Sequence, residues 1–413
     1  MSRILVWFPH GFHAPRMGSQ VRALELVRAL CGTSHEIHLA SGWNPPDSGS
    51  GWPLEAMDAM RELGVKDVHV HRSRLDDLLG WASRMMVGRR GNAPIGAWRF
   101  TPPGQVRWFG RLAKRIRPDL LLMNYSVSDP MVVAAGFDRK RCVLETHDLV
   151  LLNKRMVASV ERALPPPPYH PEAVPRELLD LNWFHRPEFE DASDREIEVC
   201  SMYGLCFCIS SREAERIRAR GGNVVHLPMS MACGPVGNSR DGAAILAAGP
   251  NAFNAQGCLW FASKVLPSLR ARQPDFVLEL TGALSGKVAP IDGVVPMGVV
   301  PDLAERYLQA RFAICPVFGG TGQQVKIVEA MAHGLAVVAL AEPARESPIV
   351  HGVNGLVCRD ESEFAEACLA LWNDPDMRRR LGEAARETVR TELNVDKYAA
   401  RVRGCLESRI QWK

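Results

Sequence analysis

Short apolar runs alternate with longer stretches of helical character along almost the whole chain. The apolar runs are Ile4–Phe8, Glu36–Ala40, Asp119–Asn124, Arg141–Glu145, Leu205–Ile209, Ala243–Ala248, Phe276–Thr281, Phe312–Cys315 and Ala336–Leu340. Helical stretches such as Ser19–Cys31 and Ala255–Ala271 separate many of them. This alternation is typical of parallel sheets covered by helices on both faces. The sequence therefore predicts an α/β protein that binds ligands at the carboxyl ends of its strands.

The alternating series is interrupted by a stretch over 229–241 that is rich in Gly, Ser and Pro. A chain of 413 residues suits two domains. We predict an N-terminal domain over 1–230, a C-terminal domain over 242–394, and a helix in 395–413 that could pack back on the N-terminal domain. The prolines of Leu164–Pro168 favour an extended loop, which we expect over the ligand edge of the first domain; a partner-binding proline motif is the alternative.

Composition and charge exclude several classes of protein. The net charge of +4 is too small for the whole chain to act as a nucleic-acid binder. No apolar run approaches 18 residues, and Met1–Phe8 predicts a strand and not a signal peptide. The eleven cysteines lack a Cys-x-x-Cys pair, and the histidines lack metal-binding spacing. We therefore expect a cytoplasmic protein with free thiols and no metal site.

The segment from Ala313 to Ala339 carries the clearest chemical signal. It reads as a strand, a glycine-rich turn (Gly319-Gly320-Thr321-Gly322), a helix, a glycine stop and a second strand. Glycines let backbone amides approach a ligand, and the positive end of the following helix favours an anion. On that helix, Lys326 can hold a phosphate, and Glu329 can accept hydrogen bonds from a vicinal diol such as a ribose. The alternative is that the two form a surface ion pair.

With these motifs the chain resembles the retaining glycosyltransferases of family 4, which have two Rossmann-like domains facing each other across a cleft (the GT-B fold). The resemblance covers nearly the whole chain and is sharp after about residue 243. It is carried by the glycine loop with Lys326 and the following Glu-Ala-Met-Ala, by His351–Val357, and by Trp260-Phe261 with Leu278–Gly282.

The resemblance implies roles for individual residues. Glu329 should bind the donor ribose, and Lys326 with the amides near Gly320, Thr321, Gly322 and Gln323 should bind the diphosphate and the sugar. The remaining expected site residues are Gly298 and Val300 beside the base, Gly18 and Ser19 near the donor phosphate, and His147 beside the reacting sugar. The catalytic residues expected are His147 and Lys326.

Three positions depart from the family pattern. Thr321 stands where the family commonly has a glutamate, Pro250 where it has an arginine, and Gln256 where it has a lysine. The charge of the diphosphate must then be met by Lys326, by helix dipoles, or by another arginine such as Arg16 or Arg345.

The expected reaction is transfer of a sugar from a nucleotide-diphosphate sugar to an acceptor. No Asp-x-Asp suggests a catalytic metal, so we expect metal independence and no cofactor. Retention of configuration is implied by the resemblance alone. Two other functions stay open: a nucleotide-sugar epimerase, and a non-catalytic nucleotide-sugar-binding protein.

A basic segment suggests a partner. Between Ser83 and Pro118 there are nine Arg or Lys and no Asp or Glu, interleaved with Met, Trp and Phe. Such a pattern suits an anionic lipid surface or a polyanionic acceptor. The alternative is a solvated helix face beside ordinary core aromatic residues. A helix from Gly104 to Arg117 would bury its apolar residues and leave its basic residues outside under either interpretation. We expect an acceptor that is lipid-linked or anionic, with peripheral contact of 83–118 to the inner membrane face.

Overall fold

The computed structural model describes residues 1–14, 18–42, 51–87, 94–237 and 242–410. The chain divides into two compact units, and it passes between them more than once. The first unit contains Met1–Arg155, Glu188–Ser230 and Val395–Lys413, and the second contains Met156–Pro187 and Met231–Asn394. Each unit is built around one parallel sheet, as the alternating pattern predicts.

The first unit has a seven-stranded sheet in the order β3-β2-β1-β4-β5-β6-β7. Its strands are β1 (Arg3–Phe8), β2 (Glu36–Gly42), β3 (Asp67–His71), β4 (Leu120–Asn124), β5 (Cys142–Thr146), β6 (Leu205–Cys208) and β7 (Val224–His226). Its helices are α1 (Gly18–Cys31), α2 (Leu54–Glu62), α3 (Arg74–Val87), α4 (Pro103–Ile116), α5 (Asp129–Ala135), α6 (Val150–Ala163), α7 (Pro187–Met202), α8 (Ser211–Ala219) and α16 (Val395–Ile410). The chain leaves this unit within α6 and returns at the start of α7.

The C-terminal helix α16 belongs to the first unit. Tyr398, Val402 and Leu406 are buried in the same apolar cluster as residues of β1 and α1. Arg403 Nε also donates a hydrogen bond of 3.0 Å to Ala29 O on α1. The last helix of the chain thus completes the core that the first strand begins.

The second unit has a six-stranded sheet in the order β10-β9-β8-β11-β12-β13. Its strands are β8 (Ala244–Ala247), β9 (Leu278–Thr281), β10 (Val294–Gly298), β11 (Phe312–Cys315), β12 (Val337–Leu340) and β13 (Leu356–Cys358). Its helices are α9 (Ala252–Trp260), α10 (Leu266–Arg272), α11 (Leu303–Gln309), α12 (Val325–Ala332), α13 (Ala341–Ala344), α14 (Glu361–Asn373) and α15 (Pro375–Glu392). The glycine-rich turn joins β11 to α12, as the sequence predicts.

The segment 156–187 packs on the second unit, which corrects the expectation that its proline run lies over the ligand edge of the first. Tyr169 N donates to Lys287 O at 2.7 Å, and Ala289 N donates to Tyr169 O at 2.9 Å. Because the prolines themselves cannot donate, Tyr169 supplies the backbone hydrogen bonds that hold the run against this unit. We call residues 156–187 the excursion.

Candidate functional site

The turn between β11 and α12 requires glycine for two separate reasons. Gly320 and Gly322 have φ of 111° and 76°, in the left-handed region that side chains disfavour. At Gly319, an added Cβ would lie 2.3 Å from a ring carbon of Phe184 and 2.6 Å from one of Phe253. Phe184 comes from the excursion, so that segment packs directly on the glycine turn.

Lys326 lies in the first turn of α12, where its ammonium donates a hydrogen bond to Asn254 Oδ1. Asn254 is held in place because its Nδ2 donates to Gly249 O at 3.0 Å, in the turn between β8 and α9. Burial lowers the pKa of Lys326. An ammonium has three donors, so the hydrogen bond to Asn254 leaves capacity for an anionic ligand.

Glu329 lies one turn further along α12 and has a different partner. The Tyr307 hydroxyl donates to its Oε2 at 3.3 Å, and burial raises the pKa of the carboxyl. Among the described ion pairs none joins Lys326 to Glu329, so the structure does not support the surface-pair alternative. Both side chains are held by groups from other elements, and each keeps hydrogen-bonding capacity for a ligand.

The other expected donor residues of the second unit lie at the carboxyl edge of its sheet. Gly298 ends β10 with a φ of 71°, and its N–H donates to Ser285 Oγ at 2.9 Å. Val300 follows in the next loop and is partly buried, as are Thr321 and Gln323 beside α12. Thr321 Oγ1 is buried with no hydrogen-bond partner among the residues that the structure describes. A buried hydroxyl left without a partner is unfavourable, so this hydroxyl keeps unused hydrogen-bonding capacity.

The three departures from the family pattern have distinct surroundings. Gln256 is buried, and its Nε2 donates to Leu178 O of the excursion at 2.8 Å, so it fastens that segment to α9. Pro250 is exposed in the turn before α9. Of the alternative arginines, Arg345 pairs with Glu342 at 3.0 Å and stays largely exposed, while Arg16 lies outside the described residues.

In the first unit, His147 is buried just beyond β5. Its Nε2 lies 2.7 Å from Asn124 Oδ1, and Asn124 Nδ2 donates to Trp7 O at 2.7 Å. That second hydrogen bond fixes the amide, so the oxygen faces His147 and Nε2 carries the proton. Nδ1 is then a buried acceptor without a partner in the described part of the chain. Burial first, and the charges of Arg22 and His10 second, hold the pKa of His147 well below its usual range, so the ring is neutral.

Tyr125 contacts both Ser19 and His147 and so links the two residues. The side chains of Ser19 and Tyr125 share a hydrogen bond, and the rings of Tyr125 and His147 lie 4.7 Å apart between centroids. Gly18 is the first residue of α1, directly before Ser19. The structure therefore brings together the three site residues that the sequence predicts in this unit.

A cavity of about 590 Å³ opens beside these residues, wholly within the first unit. It lies at the carboxyl ends of β1 to β5 and is reached by His10, His71, Tyr125 and Asp148. Its remaining charged or aromatic lining residues are Asp76, Asp77, Arg84, Trp98, Arg99, Phe100 and Lys154. Burial raises the pKa of Asp148 to about 6. The cavity can hold a polar molecule with an apolar face and hydroxyl or anionic groups.

The basic segment has the helix that its pattern predicts. In α4, Phe109, Leu112, Ala113 and Ile116 are buried, whereas Arg107, Arg111, Lys114 and Arg115 are exposed. Within the described ranges no helix is long and apolar enough to cross a membrane, and no group of three or more His, Cys, Asp or Glu residues could hold a metal ion.

Comparison with known protein families gives a match within the second unit. Residues 242–374 match the family described as Glycosyl transferases group 1. This part of the chain is therefore similar to the group 1 glycosyltransferase domains. No curated protein matches the chain by sequence.

Solved structures share the fold over the whole chain. Sucrose-phosphate synthase from Thermosynechococcus elongatus superposes with a TM-score of 0.64 at 16% identity, with 100% of both chains covered. Anabaena HepE, solved with UDP and glucose, gives a TM-score of 0.64 at 12% identity over 99% of this chain and 100% of its own. A glycosyltransferase from Rickettsia africae gives 0.61 at 12% identity, covering 100% and 99%. The GT-B fold predicted from the resemblance is confirmed, and the domain match confirms the prediction of a glycosyltransferase.

Several site residues were not predicted from the sequence. In the second unit, Lys326 is held by Asn254, and Glu329 is held by Tyr307. In the first unit, Ser19 is held by Tyr125, and the position of the proton on His147 is set by Asn124. Each contacts a residue distant in the chain, and no local motif marks it. The only local signal was position, because Asn124 ends a strand, Tyr125 follows it, and Asn254 lies in the first turn of a helix after a Gly-Pro turn.

Proposed function

We propose that this protein transfers a sugar from a UDP-sugar to an acceptor, with retention of the anomeric configuration and without a metal ion. The observation that carries the proposal is the arrangement on α12, where a lysine and a glutamate with separate partners follow a glycine turn with an unpartnered buried hydroxyl. The choice of UDP is supported by Anabaena HepE, which was solved in complexes with UDP-glucose and with UDP. The family 4 assignment rests on the sequence motifs.

The second unit binds the donor in this proposal. The Glu329 carboxylate accepts hydrogen bonds from the ribose hydroxyls, and backbone at Gly298 and Val300 lies beside the base. Lys326, Thr321 and the amides of the glycine turn hold the diphosphate. Negative charge grows on the leaving phosphate as the bond to the sugar breaks, so preplaced donors stabilise the transition state.

His147 contributes a hydrogen-bond acceptor and not a positive charge. Its neutral ring and free Nδ1 lone pair suit a sugar hydroxyl, which is held beside the anomeric carbon by that contact. No carboxylate is assigned as a nucleophile, so the acceptor attacks from the face that the leaving group departs. The leaving phosphate can then take the proton of the acceptor hydroxyl.

The acceptor binds in the cavity of the first unit. Mixed acidic, basic and aromatic side chains suit a hydroxylated molecule that also carries an anionic group. The first unit accordingly supplies the acceptor side, and the second unit, which includes the excursion, supplies the donor side. For the basic segment 83–118, we propose contact with the inner face of a membrane that carries the acceptor.

The experiment is a thermal-shift screen of nucleotide sugars on the whole chain, followed by product analysis with the stabilising donor. A ligand that binds only the folded state raises the melting temperature. Sugar transfer to an added acceptor supports the proposal. Conversion of donor alone into another sugar nucleotide would instead indicate an epimerase, and stabilisation with no turnover on any acceptor would indicate a binding protein.

A further inference from the structure

Helix α3 presents its apolar face to solvent. Leu75, Leu78, Trp81 and Met85 are spaced three, three and four residues apart, which places them on one side of a helix, and Met86 adjoins them. These five side chains are between 55% and 72% exposed. Soluble monomers rarely leave so many large apolar residues exposed together, and such patches mark interaction surfaces.

The opposite side of α3 explains why the apolar side faces outward. The buried residues there are Asp76, Gly80 and Ser83, which are polar or small. Asp76 accepts hydrogen bonds from Gly104 N at 3.0 Å, in the first turn of α4, and from His71 Nε2 at 2.7 Å. A carboxylate at a helix N-terminus is a favourable charge–dipole contact. Polar anchoring therefore holds α3 in place and leaves its apolar side unused.

The charges around this face select one kind of partner. Arg74 and Arg84 lie near the two ends of α3, and the adjoining α4 exposes four basic residues. Asp77, the exposed acid of α3, lies on the side that lines the cavity. Helices that lie in a membrane interface are typically composed of large apolar residues, such as leucine, methionine and tryptophan, flanked by arginine. The basic residues attract anionic lipids.

We propose that α3 docks the first unit on an anionic lipid bilayer by inserting its apolar face, Leu75, Leu78, Trp81, Met85 and Met86. The same helix forms one wall of the cavity through Asp77, Gly80 and Arg84, and the exposed Trp98 lies on the cavity lining too. Docking therefore brings the cavity beside the lipid headgroups, where it can receive the polar head of a lipid acceptor. The docking stands independently of the transfer reaction; only the choice of acceptor rests on the proposed function.

The test is flotation of the whole chain with phosphatidylcholine vesicles, with and without phosphatidylglycerol, in the absence of any donor. We expect the wild type to float with anionic vesicles at low salt and less so as salt is raised. The variant Leu78→Glu/Met85→Glu should lower the bound fraction about tenfold or more, because it places charge in the inserted face. Leu54→Glu, which changes a still more exposed leucine on α2, is the matched control and should bind as the wild type does.

Two further measurements separate docking from misfolding and from self-association. The double variant should keep the wild-type far-UV circular dichroism and melting temperature. Quenching of tryptophan fluorescence by brominated lipid should fall in Trp81→Phe. The proposal is overturned if the wild type fails to float, or if the double variant floats equally well. It is also overturned if the apolar face mediates a dimer, seen in sedimentation, without vesicle binding. None of these outcomes depends on donor binding, so the proposed sugar transfer is tested separately.

Discussion

Replacement of Glu329 tests the assignment of the donor site most directly. The carboxylate is partly buried on α12, and one oxygen already accepts a hydrogen bond from Tyr307. If it also accepts from the ribose hydroxyls, each charge-assisted hydrogen bond contributes about 1.5–3 kcal/mol. Glu329→Gln keeps an acceptor oxygen and loses the charge, so affinity for UDP should fall roughly tenfold. Glu329→Ala removes both acceptors, and the loss should reach roughly a hundredfold, since about 1.4 kcal/mol corresponds to a factor of ten.

The assay is calorimetric titration of each variant with UDP and with 2′,3′-dideoxyuridine diphosphate. The wild type should bind the dideoxy ligand more weakly, whereas Glu329→Ala should no longer distinguish the two ligands, because the hydroxyls have lost their partner. Glu363→Gln, which changes a half-exposed acid of the same unit that pairs with Arg359, is the matched control. A folded Glu329→Ala variant that binds UDP as tightly as the wild type, or retains the dideoxy penalty, would refute the reasoning.

The pH dependence of UDP binding gives a second check on the same residue. Burial raises the pKa of Glu329, and only the ionised form accepts hydrogen bonds at both oxygens. UDP affinity should therefore fall, as pH is lowered, at a higher pH than an ordinary carboxyl would produce. Glu329→Gln should remove this part of the profile.

Four other outcomes are expected. Lys326→Ala should lower kcat more than it raises KM, because leaving-group charge grows in the transition state; a change in KM alone would make Lys326 a binding residue only. Activity should persist in EDTA, and a loss restored by Mg²⁺ or Mn²⁺ would contradict the metal-free mechanism. Burial raises the pKa of Glu196 to about 7, so its contribution to stability is present at low pH and lost as pH rises through that value; thermal melts of Glu196→Gln should show a weaker decline between mildly acidic and mildly alkaline pH. Leu406→Ala should destabilise the first unit by about 2–5 kcal/mol in denaturant unfolding, since Leu406 is buried against α1.

The sheets could be predicted because their strands are short and continuously apolar. A parallel strand buried on both faces, such as β11 or β12, carries its signal within four residues. The edge strand β10 lacks such a continuous apolar signal, because its residues are half-exposed or exposed and include Pro296. The sequence series therefore omits it, although it ends at the predicted site residue Gly298.

The donor site could be predicted only where it is contiguous in sequence. Lys326 and Glu329 are three residues apart on one helix, so the helical period alone predicts that their side chains lie on the same side of it. Their partners Asn254 and Tyr307 come from α9 and α11, and tertiary packing brings them to α12. The outward apolar face of α3 was unpredictable for a related reason: periodicity shows that a helix has an apolar side but not which way the fold turns it.

The discontinuity of the two units has a consequence for how the protein is made. On the ribosome, the sheet of the first unit emerges early, but α16, which covers α1 with Tyr398, Val402 and Leu406, is synthesised only after the second unit. The nascent first unit therefore exposes part of its apolar surface to solvent until the whole of the second unit has been translated. Its nascent form is the stage at which we expect chaperones to bind. A fragment ending after β7 should aggregate for the same reason, unless α16 is supplied as a separate peptide.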